Sequence, residues 1–246
     1  MNMDDELDQL LTNLRLWRMH EVLDRMLKKA ERRQVSYSTF FAWLLREQYQ
    51  YQQERAIESR IKRAKIPERW SLSTFPFKQQ PSVHAPTIRQ LAKLDFLARH
   101  SNLVFMGPTG VGKTGLATSI LMIALENGYR GLFIKAQDLF DEMYQSLADR
   151  STRRLVDRLT RVDILLIDEL GYLNLHPEQT NIFFKLMDER YGKKSTIITT
   201  NLDYDEWYDF LGKKQMVGAL LDRLRHHCTT IRIDGASLRD PDSDAA

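Results

Sequence analysis

The sequence predicts an α/β protein in which a doubly wound parallel sheet follows a small N-terminal helical domain. Strands and helices alternate between residues 103 and 233, as they do when helices cover both faces of a parallel sheet. Residues 107–114 form a glycine-rich P-loop pattern between the first strand and the first helix of this region. Before residue 67 only helical periodicity is visible.

In the N-terminal domain, residues 1–66, we expect two long helices. Apolar residues recur at helical spacing over residues 4–33, whose last six residues are rich in the cations that suit the carboxyl end of a helix dipole. Ser38 can cap a second helix that runs to about Ala64. The aromatic start of this helix fits a bundle core. Its basic end fits either a solvated face or contact with an acidic partner.

Four prolines within residues 67–87 predict a linker, and Pro67 should stop the preceding helix. The α/β domain is therefore expected at residues 88–239, followed by a polar tail at 240–246. The whole polar stretch from Asp234 onward is expected to be frayed.

The α/β domain is expected to contain five strands. Each is a short apolar run, and the helices carry apolar residues at a period of 3.6. The expected strands are 103–106, 132–134, 162–167, 196–199 and 229–233, and the expected helices are 87–99, 115–126, 137–147, 153–161, 177–191, 203–211 and 215–227.

Composition indicates a soluble globular protein, with 43% hydrophobic and 28% charged residues. No apolar run reaches the roughly 18 residues of a membrane helix. The acidic N-terminus does not resemble a signal peptide, so we expect a cytoplasmic protein without a membrane partner. The single cysteine, Cys228, excludes an intrachain disulfide.

Residues 1–85 carry 15 Lys/Arg against 11 Asp/Glu, and the remainder carries 21 against 22. This basic excess permits a nucleic-acid or acidic-protein partner there.

The P-loop pattern fits a nucleoside triphosphate. Its residues are Gly107, Pro108, Thr109, Gly110, Val111, Gly112, Lys113 and Thr114. Glycines let backbone N–H groups turn toward phosphates, and the helix that follows adds partial positive charge. Lys113 is expected to reach the β and γ phosphates, and the Thr114 hydroxyl to bind Mg²⁺.

A second motif, the Walker B arrangement, ends an apolar strand with Asp168 and Glu169, 54 residues after Thr114. Asp168 at a strand's carboxyl end can hold Mg²⁺ directly or through water. Glu169 is the candidate general base for the attacking water. G-proteins lack this Glu and carry an N-K-x-D motif, which does not occur here. The expected cofactors are therefore ATP and Mg²⁺.

Two later residues extend the pattern. Asn201 follows a strand, 33 residues past Asp168, where its amide can bond the attacking water or the γ-phosphate; the alternative is a strand-terminal Asn in a turn. Arg223, on a late helix, can act as an arginine finger toward a neighbouring subunit's γ-phosphate. The alternative is a surface Arg paired with Asp222 or another acid, and Arg225 is the second candidate for the finger.

These elements in this order look like those of the AAA+ ATPases, and the whole chain resembles the IstB-like transposition helper ATPases, relatives of the helicase loader DnaC and the initiator DnaA. The resemblance spans about residues 5–239. It departs at Gly115, where the family usually has His, and at Leu238, where Tyr usually precedes the residue equivalent to Arg239. The matching runs are 61–67, 75–77, 90–96, 168–172, 177–179, 199–202, 206–207, 221–224 and 226–227.

The resemblance implies an ATPase that assembles on duplex DNA as a homo-oligomer with ATP at its subunit interfaces. It would present target DNA to a transposase encoded by the same element and be reset by hydrolysis, with Arg239 a sensor-2-like candidate. A DnaC-like helicase loader acting on single-stranded DNA is the main alternative. A small-molecule kinase is disfavoured by Asn201 and Arg223 and by the basic helical N-terminal domain, and a degenerate scaffold by intact Lys113, Asp168 and Glu169.

The resemblance also places nucleic acid along the element after the second strand. That element carries Lys135, Arg150, Arg153, Arg154 and Arg158. If the stretch is helical, residues 150, 154, 158 and 161 hold several guanidinium groups near one face, which suits phosphate contacts without base readout. A solvated helix face is the alternative, and Arg60, Lys62 and Arg63 form the rival DNA-contact site.

Overall fold

The chain divides into two units between Ser59 and Arg60. The computed structural model describes residues 3–171, 173–212 and 214–239. The division falls before residue 66, the predicted end of the N-terminal domain, and within one long helix. In the described part of the chain, no helix is long and apolar enough to cross a membrane.

The N-terminal unit contains α1 (Met3–Asn13), α2 (Trp17–Arg33) and most of α3 (Tyr37–Arg63). The single helix predicted over residues 4–33 is wrong, because the chain turns at Arg15, which has a positive φ of 56°. The turn lets α1 and α2 pack side by side. The buried apolar residues of this small core are Leu11, Met19, Val22, Met26 and Leu44.

Side chains rather than backbone complete two helix starts in this unit. The buried Gln48 side chain on α3 accepts hydrogen bonds from the N–H groups of Arg18 and Met19, 3.0 and 3.1 Å away, at the start of α2. The Ser36 hydroxyl accepts from the Thr39 N–H at 3.3 Å. Ser36, rather than the predicted Ser38, therefore caps α3.

The segment predicted as a linker, residues 67–87, packs against the α/β unit. It contains a short 3-10 helix, Leu72–Thr74. Phe75, Gln80 and Val83 are buried, and the Gln80 amide donates to the Ala236 carbonyl at 2.6 Å. The predicted helix over 87–99 is two helices, α4 (Ala85–Leu91) and α5 (Asp95–Ala98), separated at Leu94, whose φ is 67°.

The strands are β1 (Asn102–Met106), β2 (Gly131–Lys135), β3 (Ile164–Leu170), β4 (Ser195–Thr200) and β5 (Cys228–Arg232). They form one parallel sheet in the order β2-β3-β4-β1-β5, which confirms the predicted fold class. Every residue of β1 and β4 is buried, as expected for central strands covered on both faces. The carboxyl ends of β3, β4 and β1 therefore lie side by side.

Helices cover both faces of this sheet. They are α6 (Lys113–Glu126), α7 (Ala136–Ala148), α8 (Thr152–Thr160), α9 (Pro177–Arg190), α10 (Trp207–Leu211) and α11 (Lys214–His226). Their observed bounds agree with the predicted ones to within one residue, except that α6 begins two residues before its predicted start and α10 begins four residues after it.

The chain after β5 returns to the P-loop. The Leu238 N–H donates to the Gly110 carbonyl at 2.9 Å, and the Asp234 N–H donates to the Ser82 hydroxyl at 3.1 Å. The expectation of fraying from Asp234 onward is therefore wrong for residues 234–239, because their backbone is hydrogen-bonded to the domain. Residues 240–246, the predicted tail, lie outside the described residues.

Arg190, at the end of α9, is buried in the domain with 1% of its surface exposed. Its guanidinium donates to the Leu159 carbonyl at 2.7 Å, the Val162 carbonyl at 3.2 Å and the Thr196 hydroxyl at 3.0 Å, and also to the Ser195 carbonyl. Burial lowers the pKa of this group to about 9. One side chain thus ties the ends of α8 and α9 to the start of β4.

Arg190→Ala should lower the free energy of unfolding by about 3 kcal/mol, because the buried carbonyl groups lose their donors. Urea denaturation measures the change. Lys185→Ala, on an exposed position of the same helix, is the matched control and should change it by less than about 0.5 kcal/mol. Equal stability of the two variants would contradict the role assigned to Arg190.

Candidate nucleotide-binding site

The P-loop joins the end of β1 to the start of α6 and requires glycine at defined points. Gly107 has a φ of 150°, and a Cβ there would lie 2.2 Å from the Ile233 carbonyl oxygen. Gly112, the residue before α6, has a φ of 93°, and a Cβ there would meet the Phe75 ring at 2.6 Å. Only glycine fits such positions without strain. The loop therefore holds its backbone in the compact form that cradles phosphates.

Lys113 begins α6 and folds over the loop. Its ammonium donates to the Gly107 and Pro108 carbonyl oxygens at 2.7 and 2.6 Å. Partial burial lowers the pKa of Lys113; the charges of Asp168 and Glu169 oppose this shift, and that of Arg239 adds to it. No carboxylate of the described residues forms an ion pair with this half-buried ammonium, which is therefore suited to an incoming phosphate.

Asp168 on β3 is held by two hydroxyl groups. Its Oδ1 accepts from Thr114 at 2.9 Å and from Thr199 at 2.6 Å, and only 2% of the residue is exposed. Burial raises the pKa of Asp168, and the hydrogen bonds from Thr199 and Thr114 oppose that rise. The predicted metal-binding pair, Thr114 and Asp168, is thus already in contact.

Glu169 follows in a bulge of β3 with a φ of 60°. Its N–H donates to the Thr199 hydroxyl at 2.9 Å, so the same threonine contacts both Walker B residues. The Glu169 carboxylate is about half exposed and lies 3.5 Å from the ammonium of Lys135. Lys135, predicted to contact DNA, therefore lines the nucleotide cavity.

Asn201 lies just beyond β4 at the same edge of the sheet. Its Oδ1 is close to Gly171, where an added Cβ would lie 2.7 Å away. Asn201, Lys113, Asp168 and Glu169 all line one cavity of about 540 Å³. The structure thus brings the predicted Walker A, Walker B and strand-end residues together. Arg239 and part of the segment 67–76 line the remaining walls of the cavity.

Arg223 lies elsewhere. It projects from α11 into a second cavity, of about 390 Å³, which Asn102 at the amino end of β1 also lines. Its guanidinium contacts Asp188 at 2.5 Å, and 48% of its side chain is exposed. Arg223 is therefore at the edge of the sheet opposite the chain's own P-loop. The side chain of Arg225 lies outside the described residues.

The predicted basic stripe is only partly helical. Arg153, Arg154 and Arg158 lie on α8, but Arg150 precedes the helix with a φ of 55°. Arg158 forms an ion pair with Glu142 of α7. Arg153 and Arg154 are exposed.

The donors at the candidate metal site suit Mg²⁺ bound together with phosphates. Thr114 and Asp168 supply one hydroxyl and one carboxylate, the oxygen ligands that this ion prefers. Among the described residues, no cluster of three or more His, Cys, Asp or Glu side chains could hold an ion by itself. The remaining ligands would have to come from the nucleotide and from water, which is the usual arrangement for Mg²⁺.

This fold and this cavity define a P-loop nucleotide-binding domain of the AAA+ class. The chain belongs to the family of IstB-like ATP binding proteins, whose family model matches residues 9–246. The family is named for ATP binding, which agrees with the nucleotide expected from the motifs.

Relatives and a solved structure agree with this assignment. The chain is 33% identical to the ATP-binding protein of insertion sequence IS21 from Pseudomonas aeruginosa, over 95% of this chain and 88% of that protein. It is 35% identical to the ATP-binding protein of insertion sequence IS5376 from Geobacillus stearothermophilus, over 96% and 94%. A crystal structure of the DnaC helicase loader superimposes with a TM-score of 0.53 and 26% identity, over 61% of this chain and 87% of that one.

Lys113→Ala should weaken ATP binding about a hundredfold, because the phosphates lose a charged partner at the loop. Isothermal titration calorimetry with MgATP measures the affinity. Lys93→Ala, which removes a cation outside the cavity, is the control and should bind like the wild type. Wild-type affinity in Lys113→Ala would contradict the assignment of the P-loop.

Proposed function

We propose that this protein is an ATP-hydrolysing, DNA-binding helper of insertion-sequence transposition. The proposal is carried by one observation: an intact cavity with Lys113, Thr114, Asp168 and Glu169 in place, in a chain whose relatives are ATP-binding proteins of insertion sequences. In this proposal the ATP-bound protein assembles on duplex target DNA and recruits the transposase of the same element. Hydrolysis then resets the assembly.

The residues of the cavity have separable roles in hydrolysis. Bound Mg²⁺ would neutralise phosphate charge, held by Thr114 and Asp168. Lys113 binds the transferred phosphoryl group. Asn201 orients the attacking water through its amide, and Glu169 accepts a proton from that water. Glu169 has a left-handed backbone, and its carboxylate is about half exposed at the cavity, whereas Asp168 is buried.

Glu169→Gln should keep ATP binding and lower the hydrolysis rate at least about a hundredfold, because the amide cannot accept the proton. Phosphate release under saturating MgATP measures the rate. Glu178→Gln, at the start of α9, is the matched control and should turn over normally. Wild-type turnover by Glu169→Gln would assign the base to another residue.

Arg223 supports a function as a homo-oligomer. It lies at the edge of the sheet opposite its own P-loop, so it cannot contact the nucleotide of its own subunit. To stabilise the charge that develops on a neighbour's γ-phosphate, the half-exposed guanidinium would exchange its contact with Asp188 for that phosphate. We therefore assign Arg223 as an arginine finger that acts between subunits.

Arg223→Ala should bind ATP normally but hydrolyse it about a hundredfold more slowly in the assembled protein. Mixing Arg223→Ala with Glu169→Gln should restore part of the activity, since some interfaces then contain both wild-type groups. Lys185→Ala, in the same cavity, is the control and should need no rescue. Mixed subunits that assemble but remain inactive would contradict a role between subunits.

The duplex-binding surface is proposed on α8, at Arg153 and Arg154. These residues are exposed, whereas Arg158 is paired with Glu142 and Lys135 with Glu169. In the rival site, Arg60 donates to the Leu125 carbonyl at 2.7 Å and so has a structural contact already. Arginine contacts to phosphates would give weakly sequence-dependent binding.

Arg153→Ala/Arg154→Ala should lose about tenfold in duplex affinity with ATP present. It should also reduce the slope of log affinity against log salt by about 2, because each lost phosphate contact removes close to one unit. Fluorescence anisotropy across a salt series measures both quantities. Lys62→Ala/Arg63→Ala is the comparison variant. An effect confined to that variant would move the DNA site to α3.

A helicase loader is the second candidate, favoured by the structural similarity to DnaC. The same titration separates the two proposals. A loader that acts on single strands would bind a single-stranded oligonucleotide more tightly than a duplex of equal length. Preference for the duplex supports the transposition helper.

A further inference from the structure

Trp70 is a large apolar side chain that is left exposed at the rim of the nucleotide cavity. The residue lines that cavity, and 39% of its surface is exposed. An added Cβ at Gly115 would meet the indole at Cε3 and Cδ2, 3.3 and 3.4 Å away, so one edge of the ring system lies on the P-loop helix. The exposed part of the indole is available to a partner.

The segment that carries Trp70 is held against the domain. Phe75 is buried, and a Cβ at Gly112 of the P-loop would lie 2.6 Å from its ring. The hydroxyl of Ser71 accepts from the Ser73 N–H at 3.3 Å and caps the short 3-10 helix. Trp70 therefore projects from a braced segment rather than from a free loop.

The cavity that Arg223 lines offers an apolar surface of its own. Met216 lies at this cavity with 40% of its surface exposed. The cavity has a volume of about 390 Å³, enough to receive part of an aromatic side chain from outside. Its apolar walls come from α9 and α11 and are formed by Phe184, Met187, Met216, Ala219, Leu220 and Leu224.

Exposed large apolar side chains are few in the second unit, residues 60–246. Among its described residues they are Trp70, Tyr144, Leu147 and Met216. One of the four thus lies at the nucleotide cavity and another at the Arg223 cavity. An arginine finger that reaches the γ-phosphate of the next subunit brings these two surfaces together, because Arg223 lines one cavity and the phosphates occupy the other.

We propose that Trp70 of one subunit packs on Met216 and the adjoining apolar wall of the Arg223 cavity in a second copy of this chain. A protruding side chain on one surface and a cavity on another form a heterologous, head-to-tail contact. Trp and Arg are the residues that most often dominate interfaces, and a thioether sulfur beside an aromatic ring adds to the contact. The inference rests on the proposed function, since it requires Arg223 to act between subunits.

Chemical cross-linking tests the contact directly. Trp70→Cys mixed with Met216→Cys and treated with a short bismaleimide in the presence of MgATP should give a covalent dimer, whereas each variant alone should not. The linker spans the space left by the indole and the thioether. The native Cys228 competes poorly, because burial raises the pKa of its thiol to about 11. Lys93→Cys mixed with Met216→Cys is the matched control and should not cross-link, since Lys93 is exposed outside both cavities.

Assembly provides a second measurement. In the Glu169→Gln background, where bound ATP persists, Trp70→Ala should raise the protein concentration needed for assembly at least about tenfold, as expected for an interface hot spot. Trp70→Phe should recover most of the loss. Ala219→Trp fills the cavity from its own chain and should impair assembly in the same way. Tyr144→Ala, which removes an exposed aromatic outside both cavities, is the control, and sedimentation velocity measures all four variants.

The outcomes separate this contact from the arginine finger. No covalent dimer despite demonstrated co-assembly, or normal assembly by Trp70→Ala, would overturn the contact. If the mixture of Arg223→Ala and Glu169→Gln still recovered activity, the finger would stand without it. No recovery in that mixture, together with no cross-link, would overturn both.

Discussion

The contact of one buried carboxylate with two hydroxyl groups organises the centre of this domain. Asp168 is too buried to be solvated by bulk water, so its charge depends on the hydrogen bonds from Thr114 and Thr199. Thr114 belongs to the P-loop helix and Thr199 to β4. The three residues thus connect the P-loop helix, the Walker B strand and the strand beside it.

Thr199 also sets the position of Glu169. Its hydroxyl donates to Asp168 and accepts from the Glu169 N–H, so one oxygen atom contacts both the proposed metal ligand and the proposed base. Asp168 is buried, whereas the side chain of Glu169, which has a left-handed backbone, is about half exposed. Two adjacent residues of the same chemical type can therefore perform different tasks, because their environments differ.

The sequence predicted the parallel sheet and most of the cavity because both depend on local patterns. A glycine-rich loop between strand and helix, and an apolar strand ending in Asp168, specify their positions in any parallel sheet. Thr199 was not predicted as a site residue, because a single threonine at the end of a strand is not a recognisable motif. The adjacent pair Thr199 and Thr200 at the end of a buried strand could have indicated it. The segment 67–76 was predicted only as a linker, because its position at the wall of the cavity arises when it packs against the P-loop helix. The break at Arg15 and the packing of 234–239 likewise depend on tertiary contacts.

The return of the chain after β5 has a mechanical consequence. Residues 234–238 are attached at one side to the P-loop, through Leu238 and Gly110, and at the other to Ser82 and Gln80, which precede the sheet. Hydrogen bonds thus join segments about 150 residues apart in sequence, and one of these segments is itself bonded to the phosphate-binding loop. A change in the shape of that loop at Gly110 would therefore also displace Leu238 and the segment 234–238. The segment that contains Gln80 and Ser82 would then move together with residues 234–238, because hydrogen bonds join the two.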